Sequence, residues 1–217
     1  MKQPVIFSLL LSLFLFSCKD NTADHSINKP HTTKPLAAIK HTVAILPIAL
    51  NDKELLADLT RGMQQKLGVE FVVLDEMKLP ATAFYQPRQR YIADSLLVFL
   101  GKMNNKRYEK IIGVTTKDIS TRKGDIPNWG ILGLGSCPGE ACVISSFRAG
   151  QHKVTAAGFR RRMVTLALHE LGHTYGLEHC PADTCLMKDA QGKMNLDDGD
   201  SYCNRCRNYL SGKGILK

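Results

Sequence analysis

The feature that most constrains this chain is the motif HExxHxxGxxH, which runs from His169 to His179. On a helix, His169 and His173 are four residues apart, so both imidazoles project from one face. Gly176 can adopt a positive φ, which lets the chain leave the helix and bring His179 to the same point. Three neutral imidazoles can hold one metal ion and leave a coordination position open, as in catalytic zinc sites. The motif therefore predicts an active-site helix near residues 155–175 with a zinc centre at its end.

Glu170 lies next to the first histidine of the motif and is the natural general base. Zinc lowers the pKa of a bound water from about 15.7 to about 7, so a neighbouring carboxylate can take its proton. The bare HExxH pattern also occurs on ordinary amphipathic helices, whose histidines are solvated or packed in the core. The glycine and the third histidine at the required spacing favour the zinc site here.

Four further cysteines follow the motif as two close pairs: Cys180 with Cys185, and Cys203 with Cys206. Two pairs of thiols can complete the closed tetrahedral coordination of a structural zinc. Two disulfides are an alternative that an oxidising compartment would favour. A zinc-ribbon module for nucleic acid is another, although the net charge of +9 does not by itself make a nucleic-acid binder. We expect no nucleic-acid partner, because an exported protein meets little nucleic acid.

The combination of these motifs resembles the archaemetzincins, a family of metzincin zinc metallopeptidases. HExxHxxGxxH followed by Met187 is typical of metzincins, and CxxxxCxM with a later CxxC narrows the resemblance to this family. Residues 111–118 and 129–147 also resemble the family's central and edge strands. One difference is that the 15 residues between Met187 and Cys203 form a shorter spacing than in the family pattern.

The resemblance implies a zincin-like fold that hydrolyses peptide bonds in peptide or protein substrates. It implies two zinc ions, with Glu170 as base and acid and Met187 as the Met-turn beneath the catalytic metal. The catalytic zinc would be bound by His169, His173 and His179, and the structural zinc by Cys180, Cys185, Cys203 and Cys206. The strand 141–147 would be the edge strand that pairs with an extended peptide. The competing hypothesis is a catalytically idle peptide-binding or zinc-stabilised lipoprotein that retains this fold.

The alternation of apolar strands and amphipathic helices predicts an α/β (α+β) domain, with a mixed sheet packed on helices and a short Cys-rich C-terminal subdomain. A helix is predicted between Asn51, as its cap, and Gly68, as its left-handed stop. Pro47 suggests an edge position or a bulge in the first strand. A second helix is predicted near residues 91–103. Strands are predicted at residues 43–50, 69–74, 110–115, 130–134 and 141–147.

The N-terminus has the pattern of an export signal. Residues 1–17 contain Lys2 and an apolar run that is too short to span a bilayer, which is typical of a signal peptide. The run ends in Leu-Phe-Ser-Cys, similar to a bacterial lipobox, so Cys18 is the expected lipidation site; a plain secretory signal is the alternative. Residues 18–38 are then a lipidated, polar tether and residues 39–212 the peptidase domain. We expect lipid anchoring to a membrane of the bacterial cell envelope, with the catalytic domain outside the cytoplasm.

Two further features give additional predictions. Cys137 and Cys142 flank a Pro-Gly turn, and outside the cytoplasm a local disulfide between them is expected, with free thiols as the alternative. The run 160–162 is three arginines early in the active-site helix, and we interpret it as a solvated helical face rather than an anion-binding patch. The sequence assigns no role to Tyr202 or Tyr209, and it does not indicate the oligomeric state.

Overall fold

The computed structural model describes residues 39–151, 153–190 and 196–217. Of Ile39 and Lys40 it describes only the backbone. The predicted signal peptide, Cys18 and the tether up to residue 38 lie outside the described residues. Within the described part of the chain, no helix combines the length and the apolar character needed to cross a bilayer.

Nine strands and five α-helices make up the described fold. The strands are β1 (Ile39–Pro47), β2 (Glu70–Val73), β3 (Phe84–Tyr85), β4 (Arg90–Ile92), β5 (Tyr108–Thr115), β6 (Ile119–Lys123), β7 (Ile126–Ile131), β8 (Gly133–Gly135) and β9 (Ala141–Ser145). The helices are α1 (Lys53–Lys66), α2 (Ala93–Asn104), α3 (Ser146–Ala149), α4 (Ala156–Thr174) and α5 (Asn204–Gly212). Two short 3₁₀ helices lie at Ala81–Ala83 and Gln86–Arg88.

The main sheet is mixed, as predicted, with the strand order β2-β1-β5-β9-β8. Its first four strands are parallel, and β8 pairs antiparallel with β9. The expectation that the strand after residue 141 forms the edge is wrong, because β9 lies between β5 and β8 with all five residues buried. A continuously apolar strand of this kind is typical of a parallel sheet interior. The edge beside the active-site helix is β8.

A second, smaller sheet has the strand order β3-β4-β6-β7. The sequence predicted only one sheet. The single strand predicted at residues 130–134 is divided between the two sheets. Its first part ends β7, which pairs with β6, and its second part is β8, which pairs with β9. The backbone bends at Leu132 between them. One apolar run therefore leads from the small sheet to the edge of the main sheet.

Helices cover both faces of the main sheet. Helices α1 and α4 pack on one face, against side chains such as Val43 and Ile112, and α2 packs on the other, against Ala44 and Ile111. Because successive residues of a strand point to opposite faces, each interior strand contributes to both cores. The active-site helix is thus fixed along its length, and its C-terminal end lies beside β8.

The local signals around α1 differ from the expectation. Asp52, rather than Asn51, caps the helix, since its Oδ1 accepts the Leu55 N–H at 2.9 Å. Gly68 has no positive φ; its N–H donates to the Ile215 carbonyl at 2.8 Å, so a contact with the C-terminus ends this helix. Pro47 occupies the last position of β1, which is an interior strand, so the predicted edge position is wrong. Its carbonyl still accepts the Met77 N–H at 2.9 Å, and the Ile48 N–H donates to the Val114 carbonyl at 2.8 Å.

Candidate active site

The active-site helix α4 places both histidines of HExxH at its last turns. Its N-terminus is capped by Thr155, whose Oγ1 accepts the Gly158 N–H at 3.1 Å. The backbone leaves the helix at Gly176, which has φ +97°, as the sequence predicted. The chain then turns back, and His179 comes to lie 4.9 Å from His173, measured between ring centroids. The nitrogen atoms that the three histidines can offer lie within 4.8 Å of one another.

The hydrogen bonds of the first two histidines determine which nitrogen carries the proton. Nδ1–H of His169 donates to the Leu186 carbonyl at 2.8 Å, and Nδ1–H of His173 donates to the Leu177 carbonyl at 2.7 Å. A carbonyl can only accept, so in the neutral rings each Nε2 carries a lone pair. These two Nε2 atoms face each other 3.1 Å apart. Lone pairs this close repel unless a cation lies between them.

The spacing of these nitrogens fits a zinc ion. Zinc–nitrogen bonds of about 2.0–2.1 Å at tetrahedral angles place two nitrogens about 3.4 Å apart, close to the spacing observed. Burial lowers the pKa of His169 to about 4 and also lowers that of His173, so both rings are neutral near pH 7. Backbone carbonyls that orient the ligating histidines through Nδ1–H are a common feature of zinc sites.

Glu170 lies against the bare backbone of β8. Its carboxylate accepts the Gly135 N–H, and burial raises its pKa to about 8, against the lowering effect of that bond. A Cβ on Gly133 would lie 2.6 Å from the Oε1 of Glu170, so any side chain there would displace the carboxylate. Sequence reasoning missed both glycines. The signal available was the Gly-x-Gly within an apolar strand, which marks a close approach of another group.

A cleft of about 520 Å³ lies in front of these groups. On one side it is lined by residues 130–135, which include β8, and on another by α4 with His169, Glu170 and His173. Residues from the segment after His179, including Leu186 and Leu196, line the rest. The three histidines, the carboxylate and an accessible sheet edge therefore face one space.

Met187 lies under the turn of α4 that carries the histidines. Its side chain is fully buried, and a Cβ on Gly172 would lie 2.6 Å from its Sδ. Its carbonyl accepts the Cys180 N–H at 2.8 Å. This contact ties the residue after His179 to the segment beneath the helix.

The four C-terminal cysteines form a second cluster directly beside the first. Their sulfur atoms lie within 4.8 Å of one another, with Cys180 to Cys203 at 3.7 Å and Cys185 to Cys206 at 3.8 Å. Zinc–sulfur bonds of about 2.3 Å in a tetrahedron place sulfurs about 3.8 Å apart, whereas a disulfide needs about 2.05 Å. The Cys206 backbone N–H and the neighbouring thiols lower the pKa of Cys203 to about 7. The cluster fits a zinc ion, and all four thiols are free in the structure.

The structure does not join Cys137 to Cys142. Cys137 is exposed, and its thiol donates to the Leu177 carbonyl at 3.4 Å. Cys142 is fully buried in β9, and burial raises the pKa of its thiol. The local disulfide expected from the Pro-Gly turn is therefore not formed in this structure, and both residues are thiols.

The interpretation of the arginine run as a solvated face is wrong for Arg162. Arg162 is buried, with hydrogen bonds to the Asp197 carboxylate and to the carbonyls of Ala149 and Gln151. Arg160 forms ion pairs with acidic residues of α1, namely Glu54 and Asp58. These arginines join α4 to its neighbours, and Arg162 positions the segment that includes Leu196 on the cleft wall.

Comparison with known proteins agrees with this architecture. Residues 49–212 match the model of peptidase family M54. The archaemetzincin of Methanopyrus kandleri is 30% identical over 149 residues, which cover 68% of this chain and 81% of that protein. The archaemetzincin of Haloquadratum walsbyi is 26% identical, covering 77% of this chain and 98% of that protein.

Solved archaemetzincin structures share the fold. The structure from Archaeoglobus fulgidus, a complex with malonate, superposes with a TM-score of 0.67 at 25% identity, covering 77% of this chain and 99% of that one. The structure from Methanopyrus kandleri gives a TM-score of 0.66 at 28% identity, covering 79% of this chain and 94% of that one. With the family match spanning most of the chain, the protein belongs to peptidase family M54, the archaemetzincin family of zinc metallopeptidases.

Proposed function

We propose that the protein is an active peptidase in which His169, His173 and His179 hold the catalytic zinc and Glu170 is the general base. The observation that carries this proposal is the pair of opposed Nε2 lone pairs 3.1 Å apart, next to a buried carboxylate. Zinc bound there would supply an activated water and polarise the scissile carbonyl. Side chains and backbone groups of the chain itself transfer the proton and bind the substrate.

Glu170 moves the proton in this mechanism. The Gly135 N–H favours the ionised form of Glu170, and a zinc ion bound at the histidines would favour it further against the effect of burial. In that form the carboxylate can accept a proton from the attacking water. The same carboxyl group then donates that proton to the leaving amine. Burial keeps bulk water from competing for the proton, because Glu170 is only 6% exposed.

The backbone of β8 binds the substrate in this proposal. One side of β8 pairs with β9, and the other side borders the cleft. An extended peptide can add to such an edge through main-chain hydrogen bonds. The glycines of β8 allow this close approach. From the sequence, residues 141–147 were expected to pair with the substrate. In this proposal residues 133–135 do so instead.

Zinc removal and His173→Ala together test the catalytic site. Zinc-loaded protein is expected to cleave a mixed synthetic peptide pool, to lose cleavage after chelation and to regain it with added zinc. His173→Ala leaves two imidazoles, so its zinc content should fall from two ions per chain to one, as measured by plasma mass spectrometry.

His41→Ala is the matched control, since it removes an exposed imidazole outside the site. This variant should keep both zinc ions and full cleavage. Two zinc ions retained by His173→Ala would contradict the ligand assignment. Zinc-loaded wild type that binds peptides without cleaving any would favour the idle peptide-binding lipoprotein.

We propose a structural zinc at Cys180, Cys185, Cys203 and Cys206, supported by the sulfur spacings of 3.7 and 3.8 Å. The hydrogen bond from Cys180 N–H to the Met187 carbonyl lies within the segment that this zinc would hold. The second ion would thereby stabilise the turn that presents His179.

The proposed location is a membrane of the bacterial cell envelope, through a lipid on Cys18 after removal of residues 1–17. This part rests on the lipobox-like sequence alone. Cys18→Ser should release the protein from the membrane fraction or stall its processing, because thioether formation requires the thiol. Metabolic labelling with a fatty-acid analogue should mark wild type and Cys137→Ser but not Cys18→Ser; equal labelling of all three proteins would refute the anchor.

A further inference from the structure

The cleft continues from β8 past Leu132 along β7 and its partner strand β6, where positively charged side chains line it. Arg122, Lys123 and Arg148 lie there together with Trp129. Lys123 places its Nζ 5.1 Å from the centre of the Trp129 ring. Within the part of the chain that the structure describes, neither Arg122 nor Lys123 forms an ion pair. We call this end of the cleft, defined by these four residues, the basic end.

Arg148 is held at the basic end by one carboxylate. Its Nε and Nη2 donate to the two oxygens of Asp118 at 2.7 and 3.0 Å. The same Asp118 also accepts from Nε of Arg90 at 2.7 Å. One negative charge is thus shared by two guanidinium groups. The Asp118 side chain is 10% exposed and that of Arg148 is 26% exposed, so the excess positive charge lies in a partly enclosed place.

The guanidinium of Arg148 has unused hydrogen-bond donors. Its two bonds to Asp118 occupy two of its five N–H groups, and the other three have no partner among residues 39–151, 153–190 and 196–217. Gly130 leaves the space in which the guanidinium lies, since a Cβ there would overlap its Nη2 and Cζ. A half-buried guanidinium with free donors on a cleft wall is suited to bind a carboxylate.

The acidic groups that line the cleft come from other segments. Asp183, Asp189 and Asp198 follow the third histidine in sequence, and Asp183 is paired with Lys188. Near the basic end, Asp94 accepts a hydrogen bond from the Thr121 hydroxyl at 2.7 Å and is not among the lining residues. The lining side chains of the basic end are therefore cationic or aromatic.

The direction of β8 indicates which part of a substrate reaches the basic end. Antiparallel strand pairing has the more favourable hydrogen-bond geometry. A peptide antiparallel to β8 runs from Gly135 to Gly133, beside Glu170, and then toward Gly130. Residues after the scissile bond thus approach Arg148. Gly130 and Gly133 are three positions apart, at most about 10 Å, which is the length of about three extended peptide residues.

We propose that Arg148, with Lys123 and Arg122 at the rim, forms a subsite for a carboxylate carried by one of the first three residues after the scissile bond. This inference rests on the proposed peptidase function and names its substrate class. The carboxylate belongs either to an acidic side chain or to the free C-terminus of a short peptide. In both cases the unused donors of Arg148 supply the recognition.

The test uses purified zinc-loaded protein and a pool of randomised synthetic decapeptides, half with a free C-terminus and half amidated. Mass spectrometry of the products locates the cleaved bonds. Among amidated peptides, Glu or Asp in the first three positions after the cleaved bond should be favoured over Gln or Asn by about tenfold, as for a charge-assisted hydrogen bond. If the terminal carboxylate is the ligand, cleavage instead lies within three residues of the C-terminus and falls about tenfold on amidation.

Arg148→Gln should remove the preference, and Arg148→Lys should restore only part of it, because lysine keeps the charge without the planar fork. Since Arg148 also satisfies Asp118, a second variant avoids the risk of misfolding. Lys123→Gln changes an exposed side chain and should reduce the preference two- to threefold through a rise in KM. Lys102→Gln, an exposed lysine of α2 outside the cleft, is the matched control and should leave the preference unchanged.

The outcomes separate this inference from the proposed function. Efficient cleavage with neither an acidic preference nor a dependence on the free C-terminus overturns the subsite and leaves the peptidase intact, as does a preference located before the cleaved bond. Absence of cleavage overturns the peptidase; the subsite is then judged by binding. Immobilised zinc-loaded Glu170→Gln protein should retain Glu-containing amidated peptides over their Gln counterparts, or peptides with a free C-terminus over amidated ones. Equal retention in both comparisons overturns the subsite.

Discussion

Glu170→Gln is expected to lower peptide hydrolysis by about 10²–10⁴-fold, the usual contribution of a general base, while zinc content stays at two ions per chain. Glutamine has nearly the same shape, and its carbonyl can still accept the Gly135 N–H. Its amide cannot take a proton from water, so the loss should appear in kcat. The measurement is the initial rate on the peptide pool, with zinc determined on the same sample.

Glu178→Gln is the matched control for this variant. Glu178 is exposed and adjacent to His179, so the same chemical change is made beside the third histidine instead of the first. Its activity should remain near that of wild type. A Glu170→Gln protein that turns over at the wild-type rate would rule out Glu170 as the base, whatever its zinc content.

Cys203→Ser is expected to lose the structural zinc and with it much of the stability of the domain. Loss of a metal site typically costs on the order of 4 kcal/mol or more, which for a chain of this size lowers Tm by about 10 °C. Activity should also fall, because Cys180 shares the proposed zinc and directly follows His179. Zinc analysis, thermal unfolding by circular dichroism and the rate on the peptide pool measure the three effects.

Cys137→Ser serves as the control, since it removes an exposed thiol outside the cluster. It should keep two zinc ions and the wild-type Tm. If mass spectrometry of non-reduced protein finds Cys180, Cys185, Cys203 and Cys206 paired as disulfides, with one zinc present, the structural site is wrong. The catalytic site at the three histidines would be unaffected by that result.

The parts of the molecule that sequence could predict are those set by local spacing. The four-residue interval of His169 and His173 and the positive φ of Gly176 depend on neighbouring residues in the chain. The family resemblance and the mixed sheet packed on helices are likewise confirmed. For the cysteines, spacing could suggest a cluster but could not separate zinc from disulfides, which differ in sulfur distances.

The parts that sequence could not predict depend on contacts between distant segments. The edge strand of the main sheet is β8 and not β9. The chain bends at Leu132 and passes there from the small sheet to the main sheet, which adds β8 beside β9. Arg162 can be buried because its guanidinium forms hydrogen bonds with the Asp197 carboxylate, 35 residues further along the chain. The sequence could not decide between Asn51 and Asp52 as the cap of α1, because both carry a suitable side-chain oxygen. In the structure the cap is Asp52.

Two tyrosines to which the sequence assigned no role bind the active-site helix and its end. Tyr202 donates its hydroxyl to the Leu168 carbonyl at 2.8 Å, and Tyr209 donates to the Tyr175 carbonyl at 3.2 Å. Both belong to the last part of the chain, as do Cys203 and Cys206. The Leu186 N–H also donates to the Ser201 carbonyl at 2.9 Å.

These contacts make the proposed catalytic site depend on residues 201–210. A ribosome adds residues 201–210 after every histidine of the motif has been made, so an incomplete chain lacks the groups that hold residues 180–187 in place. The proposed peptidase activity is therefore expected only in chains that contain residues 201–210. A chain that ends before Ser201 lacks the contacts to Leu168, Tyr175 and Leu186, and it is expected to lack the proposed activity.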